Sequence, residues 1–128
     1  MRHFGLLTAQ GADPTSWFFY MKTKGEVERD VRALGLQQLT IYQPGLIENR
    51  RNDYRVGESI LSYVPFIKKI EARQLGESIL LHAVQILTNS EFPRGQDGVL
   101  TLSNNQIREG HRVILEARRG NENENAKE

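Results

Sequence analysis

Tyr20 stands one helical turn before Lys24 in the stretch SWFFYMKTKGEVERDV, and Thr8 precedes them at the end of a short apolar run. A phenol, an ammonium and a hydroxyl are side chains that can hold a substrate oxygen and pass it a proton, provided all three reach one place. The same Tyr-x-x-x-Lys spacing also suits a plain amphipathic helix, with Tyr20 packed inward and the Lys24 stem laid over it. The elements that carry these residues decide between the two.

Phe4 to Thr8 reads as a buried strand, closed by the turn-forming QGADPTS. From Ser16, a plausible N-cap, the pattern turns helical. Tyr20, Lys24, Val27, Val31 and Leu34 recur on one face, Lys22, Glu26, Arg29 and Asp30 occupy others, and Gly35 stops the run. LQQLTIYQPG reads as a second strand, halted by Pro44 and Gly45. Strand, helix and strand over this length make a crossover unit of a parallel sheet. In such sheets ligands bind at the carboxyl ends of the strands, where Thr8 and the Gln43-Pro44-Gly45 turn lie.

The loop IENRRNDYRVG leads to helical segments at Glu58–Ile67 and Leu75–Leu87. PRGQDG is a turn, VLTL a short strand, and SNNQIREGHRVILEARR a last helix capped from Ser103. GESIL occurs at Gly57 and again at Gly76, which marks similar helix starts rather than a repeat architecture. Residues 1–119 are expected to form the domain and the polar residues 120–128 a disordered tail.

Composition narrows the function classes. The 128 residues suffice for one domain, and 17 Lys plus Arg against 16 Asp plus Glu give a net charge of +1. That balance points to neither nucleic acid nor an acidic membrane as partner. No apolar run has the length of a membrane span. The chain has 0 Cys, so disulfides and thiolate chemistry are excluded and a cytoplasmic location is the expectation. His3, His82 and His111 lie too far apart in sequence to suggest a metal set, and no metal is expected. KTKGEVERDVR reads as a solvated helical face with pairs such as Lys22–Glu26 and Glu28–Arg32. The aromatics Trp17 to Tyr20 read as packing around the helix start rather than a base-stacking platform, which would need a basic groove.

The order Thr8, QGAD, Tyr20-x-x-x-Lys24-Gly25-Glu26-x-Glu28, then Pro44-Gly45-Leu46 resembles the short-chain dehydrogenase/reductase superfamily. More narrowly, it is similar to the atypical, NADPH-binding, oxidoreductase-like group related to the Tat-interacting protein. The resemblance is strongest over residues 3–58 and thins to a general pattern through about residue 118. It implies that Tyr20 is the general acid–base while hydride moves at the nicotinamide of NADP(H). A free phenol has a pKa of about 10. Lys24 would favour the phenolate by its charge and bind the nicotinamide ribose hydroxyls. Thr8, where the family usually has serine, would hold the substrate carbonyl. Backbone at Leu46 and Ile47 would meet the nicotinamide end, and Arg55 would take a cofactor phosphate or else be a solvated loop arginine beside Arg50 and Arg51. Gln43 departs from the arginine often found before the Pro-Gly turn of these relatives.

The larger departure is the absence of G-x-G-x-x-G, the loop that would cradle the pyrophosphate. The implied fold is therefore α/β: the C-terminal portion of a Rossmann-like doubly wound parallel sheet, with the first strands and glycine-rich loop absent. Three readings compete. One is an NAD(P)H-dependent oxidoreductase, weak or inactive as this short chain, acting on a small-molecule carbonyl or alcohol. Another is a non-enzymatic regulatory or protein-interaction module derived from that fold. The last is a fragment that self-associates through its open sheet edge.

Overall fold

The structure is a computed structural model that describes residues 3–48, 68–88 and 96–125. In chain order the elements are β1 (Phe4–Leu7), α1 (Phe19–Ala33), β2 (Leu39–Gln43), β3 (Leu46–Glu48) and β4 (Lys69–Glu71). Then come α2 (Ala72–Thr88), a tight helical turn at Gln96–Gly98, β5 (Val99–Ser103) and α3 (Asn104–Asn125).

β2 lies between β1 and β5 and runs parallel to both, with Ile41 opposite Leu6 on one side and Thr101 on the other. A central parallel strand is covered on both faces, which is why LTIY reads as a continuous buried run instead of an alternating one. Leu39 and Ile41 are 1% and 0% exposed. Tyr42 joins Ile70, Leu75 and Ile107 in a core between the sheet and helices α2 and α3. Those helices are tied to each other by Ser78 Oγ, which donates to the Ile107 carbonyl at 2.8 Å. The molecule is thus α/β with a small parallel sheet, consistent with part of a Rossmann-like fold.

Several boundaries differ from the sequence reading. Helix α1 begins at Phe19 rather than beside Ser16, because Asp13 Oδ1 takes the Thr15 N–H and hydroxyl, and Ser16 Oγ takes the Phe18 N–H. These side-chain bonds hold the chain in a turn until Phe18. The parallel pair β3–β4 was not anticipated: strands of three residues carry no readable period. Helix α3 continues to Asn125, into the segment expected to be a disordered tail. The helix expected at Glu58–Ile67 lies outside the described residues. Trp17 is 100% exposed and Phe19 83%, so these aromatics do not pack around the helix start.

Candidate functional site

Helix α1 approaches the strand ends through a contact that only glycine allows. A Cβ on Gly25 would lie 2.2 Å from the Asp13 carbonyl carbon and the Pro14 nitrogen. Asp13 also donates its N–H to the Met21 carbonyl at 3.1 Å, so the loop after β1 crosses α1 at backbone distance. This crossing brings Glu28, one turn beyond Lys24 and two beyond Tyr20 on the same stripe, to Thr8 and Gln43 at the carboxyl ends of β1 and β2.

Deepest in that stripe is Glu28, only 7% exposed. Thr8, itself 6% exposed, donates its hydroxyl to Glu28 Oε1 at 2.5 Å. Gln43 Nε2 donates to both carboxylate oxygens, at 2.9 and 3.1 Å. A buried carboxylate is costly unless its lone pairs are filled, and here neutral donors from the ends of two strands fill them. The solvated Glu28–Arg32 pair expected from the sequence does not form, since Arg32 instead donates to Thr101 Oγ1 at 2.8 Å. The sequence reading took Glu28 for a solvated charge and missed its place in this buried network. Its signal was its place one turn beyond Lys24 on the same stripe. The consequence for Thr8 is direct: its proton is directed at Glu28.

Tyr20 and Lys24 lie nearer the surface. Tyr20 is 40% exposed rather than packed inward, and Lys24 Nζ sits over its ring, 5.6 Å from the centroid. That places the ammonium against the negative face of the aromatic system. Among the described residues Lys24 has no carboxylate partner, so its donors are free for hydroxyl oxygens.

The rim beside them is built from backbone. Gln10 donates its N–H to the Pro44 carbonyl at 2.7 Å, and Gly45 donates to Asn104 Oδ1 at 2.7 Å. A Cβ at Gly45 would fall 1.6 Å from the Lys68 carbonyl oxygen, so the Pro-Gly turn is what lets β3 start beside β4. That same carbonyl accepts the Leu46 N–H at 2.9 Å. The Leu46 amide is therefore spent on the β3–β4 ladder, and Ile47 packs against the core. Arg55 lies outside the described residues. Among the described residues no group of three metal-ligating side chains forms, and no helix is long and apolar enough to cross a membrane.

Below this rim, Tyr42 and His82 share a buried hydrogen bond of 2.7 Å between the phenol and Nδ1. Burial pushes the Tyr42 phenol up to about 12 and holds His82 below the usual imidazole range, with nearby His3 adding to the latter. This pair belongs to the core, not to the strand-end site.

No family model matches the chain. Among known proteins it is similar to "Protein fmp52, mitochondrial" of Aspergillus clavatus, 41% identical over 59 residues, which covers 46% of this chain and 25% of that one. Protein HTATIP2 of Rattus norvegicus is 42% identical over 57 residues, covering 44% and 24%. The fmp52 protein of Aspergillus niger is 29% identical over 113 residues, covering 80% of this chain and 48% of its own length. The chain thus spans about half of these relatives or less. Fungal relatives, that of Candida albicans included, carry "mitochondrial" in their names, which overturns the cytoplasmic expectation. That expectation rested on the lack of cysteine and on the family resemblance, and neither distinguishes the cytoplasm from the mitochondrion. The relatives of the Fmp52 and HTATIP2 kind are atypical short-chain dehydrogenase/reductase proteins, and over part of its length the chain is similar to them.

Proposed function

We propose that this chain supplies the nicotinamide end of an NADP(H)-dependent oxidoreductase of the atypical short-chain type, acting on a small-molecule carbonyl or alcohol. The observation that carries the reading is the Tyr20–Lys24 pair: a partly exposed phenol with an ammonium over its ring and, among the described residues, no carboxylate competing for it. These residues fit the nicotinamide ribose, whose hydroxyls Lys24 would bind. The Leu46 amide is less available, since Lys68 already takes its hydrogen. When bound, the dinucleotide supplies or accepts the hydride.

The chain's own part is to hold and move a proton. Tyr20 passes its phenolic proton to the carbonyl oxygen during reduction and recovers it during oxidation. Lys24, by its charge, eases the phenolate that this leaves. Thr8 directs its proton at Glu28, so we assign it the support of α1, with the substrate oxygen held by Tyr20. Arg55 is our candidate for a cofactor phosphate. The preference for NADP(H) follows the family likeness, and the names of the fungal relatives make mitochondria the proposed location.

The test is carbonyl-dependent oxidation of NADPH, assayed on this chain alone and together with the N-terminal half of a relative. The chain alone is expected to be weak or inactive. In the completed protein Tyr20→Phe should lower kcat by about 10²–10⁴-fold. Equal turnover by the variant would contradict the assignment.

A second reading is favoured by a separate observation. Trp17 and Phe19 are exposed at the start of α1, and among the described residues β1 pairs only with β2 and forms the sheet edge. Exposed aromatics and an open strand edge suit an interaction module or self-association. Sedimentation over a range of concentrations tests it: a monomer throughout would exclude self-association.

A further inference from the structure

Helices α2 and α3 begin close together, and a groove of about 600 Å³ opens at their first turns. Among the described residues it is lined by Lys68, Lys69, Ile70, Gln74, Asn105 and Arg108, with Glu71 as the one carboxylate. The size suits a small molecule. The charge suits an anion.

The donors are prepared rather than merely nearby. Lys68 is fixed at both ends: its N–H donates to Gln10 Oε1 at 3.3 Å, and its ammonium donates to Asn105 Oδ1 at 3.2 Å. Arg108 is exposed on the first turns of α3. Arg29, Arg73 and Arg112 each pair with a carboxylate, whereas Arg108 has no partner among the described residues. A guanidinium in that state keeps all its donors for a ligand. Both helices also turn their positive ends to the groove, adding to its field through space. Just before each helix, Gln74 Oε1 accepts the Glu71 N–H at 3.4 Å and Gln106 Oε1 accepts the Ser103 N–H at 2.9 Å, which fixes both helix starts.

We propose that this groove binds the phosphate group of a small molecule. A phosphate offers a double charge and more acceptor oxygens than a carboxylate, which matches a guanidinium, an ammonium and the Gln74 amide around one space. The site goes beyond the oxidoreductase reading and does not depend on it. Gln10 follows Thr8 closely in the chain, so the groove borders the strand-end rim through the Gln10–Lys68 contact.

A heteronuclear NMR titration of this chain with inorganic phosphate, at constant ionic strength, tests the proposal. Saturable shifts should be confined to Lys68–Gln74 and Asn105–Arg108, and both Arg108→Ala and Lys68→Ala should weaken the affinity about tenfold or more. The variant spectra also report whether each variant is folded. Shifts that never saturate, or equal affinity in both variants, would overturn it. Adding NADPH to the phosphate-loaded chain distinguishes the sources: displacement assigns the phosphate to the cofactor, and retention assigns it to a separate ligand. Shifts at Tyr20 and Lys24 in that second step read out the dinucleotide site separately, so either reading can fail without the other.

Discussion

Thr8 and Glu28 meet across the gap between β1 and α1, hydroxyl to carboxylate at 2.5 Å, with both side chains buried. This bond, shared with Gln43, joins the helix carrying Tyr20 and Lys24 to the strand ends. Removing the hydroxyl in Thr8→Val leaves the Glu28 carboxylate short of one donor in a buried place. Stability should fall by about 1.5–3 kcal/mol, the range for hydrogen bonds to charged groups. Urea unfolding measures it, and an unchanged midpoint would mean that the bond does not hold the helix.

Gly25→Ala should be more damaging than its one methyl suggests. The new Cβ would meet the Asp13–Pro14 backbone, which has no flexible side chain to move aside. We expect a loss of about 1–3 kcal/mol or more from overpacking. Gly76→Ala is the control, because nothing lies within 4 Å of its Cβ position. In the middle of α2 it should stabilise the protein by about 0.5–1 kcal/mol. The difference between the two thermal midpoints checks both at once.

Acid should weaken the fold through His82. Its folded pKa is depressed by burial, so the unfolded chain takes up the proton first. The contribution is complete above the unfolded value of about 6.5 and is lost as pH falls from there through the folded value. Tyr42 acts at the other extreme: its pKa is raised from 10.0 to about 12, so stability is lost as pH rises through that interval. NMR titration of the His82 imidazole checks the first, and a midpoint at or above the ordinary value would contradict it.

The order of elements was readable because β2 is a continuous buried run and α1 has helical spacing closed by Gly35. The Tyr20–Lys24 pair was readable for the same reason, since helical spacing alone places them together. The face expected inward was wrong: α1 buries Met21, Gly25 and Glu28 and leaves Tyr20, Val27 and Leu34 exposed. What escaped was everything set by contacts distant in sequence. Glu28 looks like one more charge in KTKGEVERDVR, and only the approach forced at Gly25 buries it against Thr8 and Gln43. The β3–β4 pair is likewise a product of the Gly45–Lys68 contact rather than of any local preference. The groove at Arg108 needs two helix starts brought together, which no window of sequence contains.

The most direct measurement is a titration of this chain with NADPH and NADH, followed by nicotinamide fluorescence, beside Lys24→Ala. Lys24 is partly exposed and pairs with no carboxylate among the described residues, so its removal should leave the fold intact. The account predicts saturable binding that weakens about tenfold or more in the variant, the loss of one charge-assisted contact. A folded chain that binds neither dinucleotide, or binds equally well without Lys24, would contradict it.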